Sequence, residues 1–269
     1  MPFKAYKIYE EYEPDEYKTS TQTKAVKVLE SAKQEGVVPK QESIGFSEIR
    51  EISGPDFIGI EEAERFTGHT LTPEERRIAE EQWQKKVEEQ GLTKESLEQL
   101  KQEGFMVVLR VDTLAGKEKN DKDMPVTIKN LCTKFPLFYN QDWYNTNEPF
   151  AEKPLSGIEW GIVKKEILDE SKNKNWDEQE EILKTWADAH HIDQKLVRRR
   201  TPPETVYDIL AYYQTHNQRI LEKDWDWTSV RSSDGDFVRV GYFNVYGLGG
   251  VCGSARVDRG STLGVCPAR

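Results

Sequence analysis

Apolar positions recur along this chain with two different periods, and the change of period marks its elements. Between residues 72 and 104 the spacing is helical. Thr72-Pro73-Glu74-Glu75 supplies an N-cap, a proline at the first helical position and acids in the first turn. The helix is predicted to run to about Gln90 and stop at Gly91, and Thr93-Lys94-Glu95-Ser96 caps a second that ends near Gly104. Ile78, Trp83, Val87, Leu97 and Leu100 form only a thin apolar stripe on this densely charged pair, which reads as a solvated helical appendage. Phe105-Met106-Val107-Val108-Leu109-Arg110-Val111 is the strongest strand, and Met124–Asn130 is expected to form another. Leu155–Leu168, with Trp160, Ile162 and Val163, reads as a strand turning into a loop. Helical spacing returns in Asn175–Asp188, where Trp176, Ile182, Leu183 and Trp186 share a face. It returns again after Thr201-Pro202-Pro203-Glu204, where Val206, Ile209, Leu210 and Tyr213 carry a helix towards Leu221. Arg198-Arg199-Arg200, just before that start, reads as a solvated basic turn.

The N-terminal patterns are weaker. Residues 1–22 place Tyr6, Tyr9, Tyr12 and Tyr17 among Glu and Lys and read as an extended arm. Ala25, Val26, Val28 and Leu29 suggest a short helix into Gly36. Residues 37–60, with Gly45, Gly54, Pro55 and Gly59, read as loops with short strands, and Glu61–Phe66 as a helical turn. Lys117–Asp123 is a charge run expected to be a solvated loop. Phe135, Phe138, Tyr139, Trp143, Tyr144 and Phe150 form an aromatic cluster that reads first as core and second as a stacking platform for a ligand.

The chain is organised around its C-terminal stretch, Asp224–Arg269. Asp234-Gly235 is a turn dipeptide between strand-forming residues. Val238, Val240 and Tyr242 alternate with Arg239 and Gly241, the period of a strand. Glycine, serine and other turn-prone residues fill the segment from Tyr242 to Leu263, which ends in Leu263-Gly264-Val265-Cys266-Pro267-Ala268-Arg269. The run W-T-S-x-R-S-S-D-G-x-F-V-x-V-G-x-F, the glycine-rich middle and the closing L-G-V-x-P-x-R resemble the C-terminal repeat of variable proteins diversified by diversity-generating retroelements. The likeness reaches back to about Pro136, through Phe138-Tyr139-Asn140-Gln141-Asp142-Trp143-Tyr144 and Arg200-Thr201-Pro202-Pro203-Glu204.

That resemblance implies an α+β C-type lectin fold of the formylglycine-generating-enzyme type over residues 105–269; residues 1–104 carry no such likeness and are read, from their own patterns, as a mostly helical extension. It implies a variable region at about 231–269, rewritten through adenine-directed copying by a reverse transcriptase. Phe237, Val238, Val240, Phe243, Leu248, Val251, Leu263 and Val265 are expected to be internal anchors, with two side chains of Asp224–Trp227 buried at the base of the sheet. Asp236, Arg239, Tyr242, Asn244, Val245, Tyr246, Gly249, Cys252, Gly253, Ser254, Ala255, Val257, Asp258, Gly260 and Ser261 are expected to face outward as a ligand-binding surface. Many of these residue types arise from A-A-C or A-A-T codons by adenine replacement. The implied function is recognition of varying protein or other macromolecular partners. The alternatives are an active or degenerate formylglycine-generating-type enzyme on the same fold, and a structural virion or scaffold subunit.

Composition narrows the field. The 269 residues carry a formal net charge of -10, against a nucleic-acid binder, which needs a basic patch. No apolar run approaches a membrane span, and Met1-Pro2-Phe3-Lys4 lacks the apolar core of a signal peptide. A cytoplasmic or virion-associated location is expected, with homo-oligomerisation left open. Cys132, Cys252 and Cys266 are too scattered for a disulfide framework. Cys266 reads as a small buried hydrophobe. His190-His191 lacks metal-site spacing and suits a helix end. Gly247-Leu248-Gly249-Gly250-Val251-Cys252 fails both the dinucleotide and the P-loop patterns. No acid cluster of the calcium-loop type is present, so no cofactor or metal is expected.

Overall fold

The computed structural model describes residues 44–116, 122–139, 144, 146, 148–246 and 248–269. The N-terminal arm, the helix expected into Gly36, most of the charge run, Trp143 and Gly247 lie outside the described residues. The chain is α+β: helices pack on small, separate sheets.

The first described elements are helical where loops were expected. α1 (Phe46–Ser53) forms because Ile49 and Ser53 bury one face, while the Glu48 carboxylate accepts the Gly45 N–H. β1 (Phe57–Ile58) follows, then α2 (Ile60–Thr67), closed by Gly68 in the left-handed region at φ 73°. α3 (Pro73–Gln90) and α4 (Lys94–Gln102) start at the expected threonine caps. Thr72 Oγ1 accepts the Glu75 N–H and Glu75 returns to the Thr72 N–H at 2.7 Å.

This helical pair is not an appendage. Trp83, Val87, Leu97 and Leu100 are all buried, in one cluster with Phe105, Val107, Leu109, Trp160 and Ile162. Trp83 meets Trp160 edge-on at 5.4 Å. Each indole N–H is satisfied by backbone, Trp83 on the Ile44 carbonyl and Trp160 on the Ala79 carbonyl. Residues 43–269 form one compact unit, so no structural boundary falls at 104.

β2 (Phe105–Arg110) is the centre of a three-stranded sheet, parallel to β1 and antiparallel to β5 (Glu159–Lys164). Its uninterrupted apolar run has a simple cause: Phe105, Val107 and Leu109 join the cluster under α3 and α4, while Met106 and Val108 join the larger one on the other face. β3 (Thr113–Leu114) pairs only briefly with β4 (Met124–Pro125). The strand expected over Met124–Asn130 stops there, because Thr127 caps α5 (Ile128–Lys134) by accepting the Asn130 N–H. α6 (Pro149–Glu152) is one turn, and α7 (Trp176–Ala189) begins at Asn175, whose side chain accepts the Glu178 N–H. His190 closes α7, with Nδ1 2.7 Å from the Trp186 carbonyl and Nε2 2.9 Å from Glu103, and no metal-like convergence with His191.

α8 (Pro202–His216) runs through the middle of the larger cluster and ends at Asn217, φ 54°, short of Leu221. Its buried carboxylates organise the molecule. Asp208 accepts from Arg110 Nε and Nη2 at 2.8 Å each and from Arg200 Nη1 at 3.0 Å. Arg200 Nε donates to Asp226 at 3.0 Å, and Asp226 also accepts the Cys266 N–H at 2.9 Å. Arg110, Arg200, Asp208 and Asp226 are each at most 1% exposed. Burial opposes charge on Arg110, but Asp208 and Glu204 outweigh it and raise its pKa. Burial likewise opposes charge on Glu204, and Arg110 and Arg198 overcome it, holding that carboxyl far below the usual range. The basic run is therefore not a solvated turn: Arg199 and Arg200 are interior, and only Arg198 reaches solvent. The network clamps α8 to β2 and to the strand that carries Asp226, where an unpaired member would cost several kcal/mol, about 3–5 by analogy with other buried pairs.

The last sheet has the order β8 (Gly250–Ser254), β7 (Phe237–Gly241), β6 (Trp225–Arg231), β9 (Leu263–Gly264). The chain then returns to β5, where Ile162 and Arg269 exchange both backbone hydrogen bonds.

Candidate binding surface

Strand alternation sorts this sheet into two faces. Val238, Val240 and Val251 turn into the larger core, all 0% exposed. The other face carries three cross-strand rows: Trp225, Gly241 and Gly250; Trp227, Arg239 and Cys252; and Phe237 with Ser254. Glycine is required in the first row. A Cβ at Gly250 would fall 2.4 Å from the Trp225 ring, and one at Gly241, φ 149°, would fall 2.4 Å from the Asp224 carbonyl. The Trp225 indole therefore lies down on the sheet. The Arg239 guanidinium sits 4.6 Å from its centroid and the Tyr242 ring stacks at 5.7 Å, 9° from parallel. Tyr242 holds φ 54°, unusual for a non-glycine residue, and this kink sends Phe243 inward while its own ring stays out.

The loop that follows is built by its own side chains. Asn244 Oδ1 accepts the Tyr246 N–H at 3.0 Å, an Asx turn. Phe243 stacks on Phe138 at 5.8 Å. Phe138 in turn lies against Gly249, whose N–H and carbonyl bond to Leu137 and Tyr139. At the opposite end of the sheet Trp227, Phe237 and Leu263 make a small separate core closed by Trp176, stacked on Phe237 at 4.4 Å. Asp258 closes a turn by accepting the Ala255 N–H, and Arg256 and Arg259 pair with Asp177 and Glu178 at the start of α7.

Of the residues expected to face outward, Tyr242, Val245, Tyr246, Val257, Asp258 and Ser261 are exposed. Asp236, Arg239, Asn244, Cys252, Gly253, Ala255 and Gly260 are half-buried. Gly249 and Ser254 are buried, which corrects the expectation. A Cβ at Gly249 would stand 2.7 Å from Phe138, and Ser254 lies opposite buried Phe237. The expected anchors are buried except Leu248, which is half-buried. Trp227 is fully buried, whereas Trp225 is half-buried. Tyr139, grouped by the sequence with an aromatic cluster read first as core, is instead 54% exposed and joined to this surface through Gly249. The sequence reading missed the Arg110–Asp208–Arg200–Asp226 network beneath. The signal for the network was present: Asp226 stands between two tryptophans and Asp208 lies inside an apolar helix face.

Burial pushes the Cys132 thiol up to about 12 and Cys266 well above the ordinary thiol range. Burial also raises Cys252, and Arg239 only partly offsets this. Comparison with family models, curated proteins and solved structures finds no match to this chain. Among the described residues, no helix is long and apolar enough to cross a membrane.

Proposed function

We propose that this protein is a ligand-binding protein of the diversity-generating-retroelement kind. In this reading its sheet β8-β7-β6-β9 belongs to a C-type lectin fold, and the surface around Tyr242–Ser261 varies to recognise different macromolecular partners. One observation carries the reading. The large hydrophobic side chains left exposed among the described residues are Tyr139, Tyr242, Val245, Tyr246 and Val257, and all but Tyr139 fall within this one segment. Exposed tyrosines beside adaptable polar groups such as Asn244 and Arg239 make an interaction surface of paratope type. The strands that flank them are held by buried anchors and a buried ion network, so outward residues change without loss of the core. The suppressed thiolate character of all three cysteines supports binding over the nucleophilic chemistry of a formylglycine-generating enzyme.

The test is a graft. Replacing only the exposed and half-buried outward residues of Asp236–Ser261 by those of a sibling protein is expected to keep the circular dichroism spectrum and transfer the sibling's partner in a binding panel. A folded graft that keeps the parent's partner overturns the reading. Sequencing the locus gives a second check: a nearby template repeat should differ from the Arg231–Arg269 coding region at adenines, with changes at the outward codons and not at Val238, Val240, Phe243 or Val251.

A further inference from the structure

The chain has an excess of acid, yet one cleft is lined by more cations than its two acids, Glu89 and Glu159, can pair with. It lies where the end of α3, the start of β5, the 3-10 turn Gln194–Leu196 and Arg269 meet, and it encloses about 340 Å³. Two ion pairs on its wall are closed. Lys85 faces Glu89 at 3.7 Å, and Arg198 faces Glu159 at 3.0 Å. Lys86, Lys195 and Arg269 remain, and among the described residues none has a carboxylate within 4 Å, the nearest influence on Lys86 being the more distant Glu159. Arg269 is only 7% exposed. Its Nη2 reaches the Gln90 carbonyl at 3.4 Å, its Nε has no partner, and Gln90 Oε1, from the same cleft, has none either.

Such an arrangement is costly as it stands, because a desolvated cation needs a counter-ion and a buried donor needs an acceptor. Burial lowers the Lys86 pKa to about 8; Glu159 opposes this, while Arg110, Arg198 and Arg269 reinforce it. Burial alone lowers Arg269 to about 10. Cations held this way in a cleft are a recognisable preparation for an anion.

We propose that this cleft binds a small multivalent oxyanion of the phosphate class, held by Lys86, Lys195 and Arg269. The volume suits an oligophosphate or a compact phosphate ester. A nucleotide base finds no stacking surface, since Trp160, the ring in the wall, is 1% exposed.

The test is calorimetric titration of the full chain with inorganic phosphate, pyrophosphate and citrate. Pyrophosphate is expected to bind saturably at one site, more tightly than phosphate or citrate, and to lose affinity as pH rises above 8 and Lys86 loses its proton. Lys86→Met and Lys195→Ser are each expected to weaken it about tenfold, the cost of one charge-assisted hydrogen bond. Lys195 is exposed, so its variant keeps the fold, and melting curves check both. Tyr246→Ala, on the other surface, is expected to leave pyrophosphate binding unchanged. Absence of saturable binding at millimolar pyrophosphate, affinity indifferent to both lysine substitutions, or preference for citrate would each overturn the assignment.

Discussion

Trp225 and Trp227 stand two positions apart on β6 and face the same side of the sheet, yet only Trp227 is fully buried. Trp227 is roofed by Phe237, Leu263 and Trp176, whereas Trp225 lies on a glycine row, half-buried and stacked with Tyr242 and Arg239. The two therefore differ in what they do: one holds the sheet, the other is half of a surface. Trp227→Ala is expected to cost about 3–5 kcal/mol, as for other buried aromatics. Tyr246→Ala and Asp258→Asn are expected to stay within about 0.5 kcal/mol, as exposed positions do; asparagine keeps the oxygen that closes the Asp258 turn. Thermal melts of the three decide it, and equal losses in all three would contradict this division of labour.

At the scale of elements, the pair α3 and α4 shows how a correct helix assignment can carry a wrong domain assignment. Caps, length and stop signals place both helices to within a residue or two of where they lie. Their thin apolar stripe nevertheless looks too slight to be core, because Trp83 and Val87 alone among large residues mark the buried side of α3. What makes the stripe sufficient is the partner surface: Trp160, Phe105, Val107 and Leu109 wait on the sheet beneath. A chain that begins at Phe105 is accordingly expected not to fold cooperatively, since it exposes one whole face of β2 and β5 and loses the β1 pairing. Urea unfolding followed by fluorescence checks this. A single sigmoidal transition in that shortened chain, with native-like amide protection, would reinstate a domain boundary at residue 104.

For the whole molecule, the unpaired cations around the α3 cleft tie stability to pH. Lys86 has its pKa lowered from 10.5 to about 8 on folding. The unfolded chain therefore binds more protons between those values, and stability rises with pH across that window. Below pH 8 the penalty for burying the charge is felt in full. Lys86→Met removes it, so the variant is expected to melt above the parent at pH 7. The gap should close by on the order of 2 kcal/mol by pH 10, allowing for the partial exposure of the side chain. Melting curves of the two proteins at both pH values measure this; a gap that does not change with pH would mean that Lys86 is not desolvated.

The sequence by itself determined the local elements wherever they are written locally. Thr-Pro-Glu starts, Gly91 as a stop, the alternation Val238–Val240 and the apolar run of β2 depend on neighbours within a few residues, and cap chemistry and side-chain period report those directly. It also separated most buried anchors from most exposed positions in the last stretch, because period 2 assigns faces. Tertiary structure decided the rest. A short segment such as Ile128–Lys134 becomes helix or strand according to a cap and a core to pack on. Gly249 is inside because Phe138, more than a hundred residues earlier, lies on it. Arg199 and Arg200 are interior because Asp208 and Asp226 arrive from other elements to neutralise them. The convergence of Lys86, Lys195 and Arg269 in one cleft belongs to the same class: a charge is only costly or useful in relation to what the fold brings beside it, and no spacing along the chain encodes that meeting.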